Sequence, residues 1–338
     1  MLRKFSVVLI LFLLFMPAIA EARSAADTKR AEQFERYYGL LPDSDLQKRI
    51  SAIGDRLITA NGLSKDDFSF KVLNSPEINA VTIPGGYIYI YKGLVDFMPT
   101  DEELAAVIGH EMGHVTGNHL ARRQREQLLA MLLGALIGGP EAAIAANAAL
   151  AALPAYNQRD ERDADDRGFD YIIKSKMNPY AMVVVMNKLA DTDNSKIRSN
   201  FAQHPDPDVR AERIMKYIQK MQIKPDVLVQ GNKASVVDSG WFFAINRSDG
   251  VNKPYYRALL LAGSFYLVSQ DENISPDKFI VVEGKDRADI YYDDIHVYSV
   301  TQMDAAVDNK SVAQKAAEYV EQFRSWVQVK IAVKQNVK

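Results

Sequence analysis

The pattern of hydrophobic and polar positions changes near residue 226 of the chain. Before that point, apolar side chains recur mostly every three or four residues, which is typical of helices packed on a core. After it, short runs of β-branched and aromatic residues such as Trp241–Ile245 predominate, which is typical of strands. We therefore expect an α+β protein, with a mostly helical domain at residues 21–224 and a small C-terminal α+β domain of unknown role at residues 225–338.

A small sheet is predicted inside the helical domain. Residues 68–73 alternate between apolar and polar side chains, and residues 78–83 lead through Pro84-Gly85-Gly86 into a second strand at residues 87–91. The last two segments predict a hairpin. This sheet either only caps the helices or also offers a free edge at which an extended substrate strand binds.

Two further segments carry weaker patterns. The C-terminal domain ends with a predicted helix at residues 311–326 and a predicted strand at residues 327–333, where valine and isoleucine alternate with other residues. Within residues 128–153, an apolar block and an alanine-rich block flank a Gly-Gly-Pro break and predict two short helices. These helices form either a hairpin packed on the core or a mobile lid or peripheral membrane contact.

The N-terminus has the pattern of a signal peptide at residues 1–20. Arg3 and Lys4 precede a short apolar run, and Ala18-Ile19-Ala20 forms a small-residue cleavage motif. The run is shorter than the roughly 20 residues that span a bilayer. We expect an exported protein, and a bacterial periplasm suits an exported chain without cysteine.

The composition of the chain limits the functions and metal ligands to consider. The 41 basic and 43 acidic residues give a formal charge of −2, which argues against a nucleic-acid-binding function. The absence of cysteine excludes thiolate metal sites and thiol nucleophiles. Histidine, aspartate and glutamate remain as the metal ligands to consider, and the chain has five histidines.

The chemistry concentrates in His110-Glu111-Met112-Gly113-His114. A capping box at Thr100 and Glu103 predicts that a helix begins just upstream, so the two histidines lie one turn apart on the same face. Two imidazoles so placed can converge on one metal ion, and Glu111 beside them can reach a water molecule on that ion.

Two histidines leave the coordination of a metal incomplete. His119 follows His110 by nine positions, whereas the known pattern with a third histidine needs ten, so we interpret His119 as a surface or packing residue. Glu161 and Asp165 are four positions apart on a second predicted helix. Glu161 can ligate and Asp165 can accept a hydrogen bond from a ligating histidine, although such charged segments are often only solvated helix faces.

These residues resemble the gluzincin metallopeptidase family that contains the CAAX prenyl endopeptidases, the HtpX proteases and the BepA-like periplasmic proteases. Residues 79–93 resemble the family's edge-strand hairpin, and His204-Pro205 with Arg210 resembles its H-P-x-x-x-x-R element. The resemblance covers roughly residues 26–222. It implies a zincin-type fold that binds one Zn²⁺ per chain.

The resemblance also implies the residue roles. The zinc ligands would be His110, His114 and Glu161, the general base Glu111, and the histidine partner Asp165. The resemblance leaves the roles of His204 and Arg210 unassigned. Either residue could stabilise the oxyanion of a tetrahedral intermediate. His204 could instead be a fourth zinc ligand that silences the enzyme, or could merely begin a rigid loop.

Together, the residues and the resemblance predict an exported zinc-dependent metalloendopeptidase. Its partners would be unfolded or misassembled polypeptides bound along residues 79–82, and its role would be quality control in the cell envelope. The alternative is a latent protease or a non-catalytic zinc-containing chaperone or binding protein. The sequence leaves the oligomeric state open.

Overall fold

The computed structural model describes residues 23–151, 157–192, 204 and 207–336. The predicted signal peptide therefore lies outside the described residues. The chain divides into two compact units, the first formed by residues up to Tyr171 together with Leu189–Pro207, and the second by Ile172–Lys188 together with the residues from Asp208 onward. The domain boundary expected near residue 224 stays a prediction.

The helices and strands follow one another in a mixed order, as expected for an α+β protein. In chain order, they are α1 (Ala25–Tyr38), α2 (Ser44–Ala60), β1 (Ser69–Leu73), β2 (Ala80–Ile83), β3 (Tyr87–Tyr91), α3 (Lys92–Phe97), α4 (Asp101–Thr116), α5 (His119–Ala151), α6 (Gln158–Lys174), α7 (Ala181–Ala190), α8 (Pro207–Lys220), β4 (Asp226–Gln230), β5 (Lys233–Asp238), β6 (Trp241–Ile245), α9 (Pro254–Ser269), β7 (Phe279–Glu283), β8 (Arg287–Tyr292), β9 (Ile295–Thr301), α10 (Gln302–Ala305) and α11 (Val312–Asn336). The predicted fold class is confirmed.

The small sheet of the first unit has the strand order β1-β3-β2. β2 and β3 pair antiparallel, which confirms the predicted hairpin, and β1 runs parallel to β3. Successive side chains of a strand point to opposite faces. The face that carries Tyr87, Tyr89 and Tyr91 packs on Ala31 of α1, so the alternate positions belong to the other face.

Two glycines interrupt the long helical region after β3. α4 ends at Thr116 and is capped by Gly117, and the left-handed Asn118, with φ 51°, turns the chain into α5. Gly139, with φ 77°, breaks α5 next to Pro140, where the sequence predicted a break. Apolar side chains on both sides of this break are exposed: Leu128, Leu136 and Ile144 are 52%, 53% and 69% accessible to solvent.

The second unit contains two antiparallel three-stranded sheets, β4-β5-β6 and β7-β8-β9. α9 packs on β5 and β9, and α11 packs on β7 and β8. Their core is aromatic: Phe265 stacks on Trp326 at 4.1 Å between ring centroids, and the Trp326 indole donates a hydrogen bond to Asp238.

The predicted strand at residues 327–333 is wrong, because α11 runs without interruption to Asn336. Alternation of β-branched residues is a weak signal when tertiary packing offers a helix a continuous apolar face. Here Val320, Phe323 and Val327 recur at helical spacing and are all buried. Among the described residues, we find no helix with the length and apolar character needed to cross a membrane.

Candidate metal centre

The metal-binding motif lies on the buried helix α4 of the first unit. Thr100 and Glu103 form the predicted capping box, and the helix is buried from Glu103 to His114. Burial of so many polar side chains is costly unless they have partners. The motif is therefore built into the interior and does not lie on a solvated face.

Two glycines of α4 allow the second motif to approach closely. A Cβ added to Gly113 would lie 2.5 Å from the backbone oxygen of Ala164, and one added to Gly109 would lie 3.3 Å from that of Gly168. Both contacts are with α6. A larger residue at position 113 would push α6 away, and with it Glu161, which precedes Ala164 by one helical turn.

Four side chains converge at this crossing. The ligating atoms of His110, His114, Glu161 and His204 all lie within 4.8 Å of one another, and all four residues are buried. All four belong to the first unit. The structure thus brings together the three sequence-predicted ligands and adds His204 to them.

Two separations among these atoms match those of ligands around a tetrahedral zinc ion. Zinc ligands at about 2.0–2.1 Å from the metal lie about 3.3 Å from one another in a tetrahedron. The Nε2 atoms of His110 and His114 are 3.1 Å apart, and His114 Nε2 lies 3.3 Å from Glu161 Oε1. The nitrogen and oxygen donors are also those that zinc prefers when no thiolate is present.

The pKa shifts of His114 and Glu161 favour ligation by these two residues. Burial lowers the pKa of His114 well below its ordinary value, so its imidazole is neutral at pH 7. Burial alone would raise the pKa of Glu161, but the imidazoles of His204 and His110 outweigh it and lower that pKa. Neutral imidazole and ionised carboxylate are the forms that bind a metal.

Asp165 and Glu111, two further predicted site residues, lie on the same two helices as the ligands. Asp165 is fully buried, and its Oδ1 lies 2.9 Å from His110 Nδ1. Glu111 is also buried and accepts a hydrogen bond of 2.6 Å from the hydroxyl of Thr82. Sequence reasoning missed Thr82 as a partner of Glu111, because residues 29 positions apart leave no local signal.

His119, which the sequence left as a surface or packing residue, is buried and contacts a ligand histidine. Its ring is fully buried, so it is not a surface residue. Its Nδ1 lies 2.8 Å from His114 Nδ1, and its Nε2 lies 2.9 Å from Asp163 Oδ2. The left-handed turn at Asn118 brings His119 back towards His114.

The remaining candidates, His204 and Arg210, lie in different units. His204 Nδ1 lies 2.9 Å from Glu161 Oε1 and 3.3 Å from His110 Nε2, which is the position of a fourth ligand. Arg210 is partly buried on α8, in the second unit. Its predicted role in stabilising an oxyanion stays a prediction.

Comparison with known proteins identifies the family. The sequence profile of Peptidase family M48 matches residues 44–218, which include α4 and α6. The chain belongs to peptidase family M48. This membership makes it a metalloendopeptidase, as the sequence predicted. A second profile, a domain of unknown function (DUF8459), matches residues 234–329.

Several M48 relatives are similar to this chain. The metalloprotease LoiP of Escherichia coli is 30% identical over 180 residues, which cover 51% of this chain and 70% of LoiP. The β-barrel assembly-enhancing protease of Yersinia pestis is 31% identical over 202 residues, 55% of this chain and 42% of the relative. The metalloprotease YcaL of E. coli is 29% identical over 203 residues, 58% of this chain and 79% of YcaL. The chain thus spans less than half the length of the assembly-enhancing protease.

Proposed function

We propose that this protein is a zinc-dependent endopeptidase that cleaves unfolded or misassembled polypeptides in the cell envelope. The observation that carries the proposal is the buried group of His110, His114 and Glu161 with Glu111 beside it. The hydrogen bond from Thr82 to Glu111 supports it further, because Thr82 belongs to β2, the outer strand of the sheet. The candidate base therefore lies against a sheet edge.

The edge strand supplies the substrate site of this proposal. Among the strands that the structure describes, β2 pairs only with β3, so its other edge is available to an extended peptide. An added strand is held mainly through backbone hydrogen bonds, so an unfolded chain of almost any sequence can bind. A folded substrate would have to expose such a segment first.

The proposed chemistry divides between the ligands and Glu111. A zinc ion held by His110, His114 and Glu161 would supply Lewis-acid polarisation of the scissile carbonyl. The Thr82 hydroxyl holds one oxygen of the Glu111 carboxylate. Glu111 accepts the proton of the attacking water and delivers it to the departing amine.

The substrate class is tested with one polypeptide in two states. We expect the zinc-loaded protein to cleave a permanently unfolded variant of a small globular protein at least about tenfold faster than the native form, because edge-strand binding needs extended backbone. Initial rates are measured at equal concentrations, with a chelator-treated sample as the control. Equal rates on both forms would contradict selection for unfolded chains.

The position of His204 supports a latent form of the proposed endopeptidase. Its Nδ1 occupies the position in which a fourth ligand would exclude water from the metal. A cleavable substrate or a partner would have to displace it. In this proposal the structure corresponds to the closed state, and the open state is the one that cleaves.

Replacement of this residue tests the latent state. We expect His204→Ala to raise the basal rate of peptide cleavage, by up to about tenfold if nine molecules in ten are closed. Bound zinc should stay near one per chain, because three ligands remain. Cleavage at the parent rate would contradict the latent state, and cleavage below it would instead assign His204 a supporting role in catalysis.

The proposed location rests on the N-terminal sequence and the relatives. Residues 1–20 have the pattern of a signal peptide, and several relatives are named β-barrel assembly-enhancing proteases. Both favour the bacterial periplasm. The exposed apolar side chains of α5 are the candidate for a peripheral membrane contact through residues 128–153.

A further inference from the structure

We propose that His119 and Asp163 are positioning residues that hold His114 in its metal-binding orientation. The inference rests on the proposed metal site but concerns residues outside the ligand set. The geometry is a continuous relay from an anion to the ligand: Asp163 Oδ2 lies 2.9 Å from His119 Nε2, and His119 Nδ1 lies 2.8 Å from His114 Nδ1.

The tautomers follow from which atoms face the metal position. The Nε2 atom of His114 faces His110 Nε2 and Glu161 Oε1, so it is the ligating atom and carries no proton. The proton of the neutral imidazole then lies on Nδ1, which donates to Nδ1 of His119. His119 must therefore carry its own proton on Nε2, which donates to the Asp163 carboxylate.

Both ligating histidines thereby gain a carboxylate behind them. His110 contacts Asp165 directly through its Nδ1 at 2.9 Å, whereas His114 reaches Asp163 through one intervening imidazole. A carboxylate behind a ligating histidine fixes the ring orientation and raises its basicity. In the second arrangement the hydrogen bonds also run from the ligand to a carboxylate, but one more imidazole lies between them.

The surroundings of His119 are shaped for this relay. A Cβ added to Gly117 would lie 2.2 Å from His119 Nε2, so the ring occupies space that only a glycine leaves free. The guanidinium of Arg167 donates a 2.8 Å hydrogen bond to Asp163 Oδ2 and fixes the carboxylate. His119 is fully buried at the start of α5.

Zinc affinity measured by chelator competition tests the relay without depending on proteolysis. We expect His119→Ala and Asp163→Asn each to weaken zinc binding by about 10–100-fold, the usual cost of losing such a partner. His119→Gln should recover most of the loss, because its amide can accept from His114 and donate to Asp163. Asp166→Asn, the same change at an exposed position of α6, is the matched control and should bind zinc like the parent.

The double variant distinguishes a relay from a general packing effect. If Asp163 acts through His119, adding Asp163→Asn to His119→Ala should weaken zinc binding by less than about a further twofold. The absorption spectrum of the Co²⁺-substituted protein should change in His119→Ala and resemble the parent in His119→Gln. Should His119→Ala fail to fold, His119→Gln and Asp163→Asn still decide the question.

Each result has one consequence. The relay would be overturned if Asp163→Asn and His119→Ala both bound zinc like the parent. It would also be overturned if Asp163→Asn weakened zinc binding as much in the His119→Ala background as in the parent. Neither result would overturn the metal site. A parent protein that binds no zinc would instead overturn the proposed metal site on which the relay rests. Activity of the variants enters neither decision.

Discussion

Replacing Glu111 by glutamine should abolish cleavage and leave the bound zinc unchanged. The Glu111 carboxylate is buried, close to His204, and is held at 2.6 Å by the Thr82 hydroxyl. An amide keeps the shape and the hydrogen bond but cannot accept a proton at neutral pH. A general base typically contributes about 10²–10⁴-fold to a rate, and we expect a loss of that size in kcat for an unfolded polypeptide.

The Glu111→Gln experiment needs both readouts. Zinc per chain is measured by elemental analysis alongside the initial rate, and Glu126→Gln, the same change at an exposed position of α5, is the matched control. Retained zinc with lost cleavage assigns the base. Glu111→Gln protein that cleaves at the parent rate would remove Glu111 from the mechanism. If the zinc-loaded parent and the His204→Ala variant are both inactive, the binding-protein alternative is favoured.

Replacing Glu161 by glutamine should remove the metal itself. Glu161 is the only carboxylate in the group of four converging side chains found among the described residues. The surrounding imidazoles lower its pKa, so the parent offers an ionised oxygen that glutamine lacks. We expect zinc affinity to fall by more than the roughly 100-fold that loss of an outer partner costs, and cleavage to fall with it.

Thermal unfolding provides an independent measure of the Glu161→Gln effect. A ligand that binds only the folded state raises its stability, so added zinc should raise the Tm of the parent and leave that of Glu161→Gln nearly unchanged. The exposed Asp170→Asn on the same helix should respond like the parent. An undiminished zinc response in Glu161→Gln would mean that the metal lies elsewhere.

Much of the first unit was predictable because the sequence patterns that specify its helices and hairpin are local. The capping box of α4, the spacing of the two histidines and the hairpin turn each involve residues within one element or one turn of one another. The four-residue spacing of Glu161 and Asp165 likewise places both on one helix face. These features depend on backbone geometry that neighbouring residues determine.

Local signals misled at one place and were silent at another. Residues 327–333 alternate like a strand, yet burial of Val320, Phe323 and Val327 on one face makes them helical. The spacing of His119 from His110 gave no sign of its contacts with His114 and Asp163.

The sequence by itself determined the fold class, the metal-binding helix, the candidate ligands and base, and the resemblance to a metallopeptidase family. Only the tertiary structure decided that Thr82 holds Glu111, that His204 reaches the fourth ligand position and that His119 connects His114 to Asp163. These contacts join residues from different parts of the chain. The glycines of α4 let α6 approach, and Asn118 turns the chain back towards His114. Spacing along a helix is encoded locally, whereas the contacts across elements are set by packing.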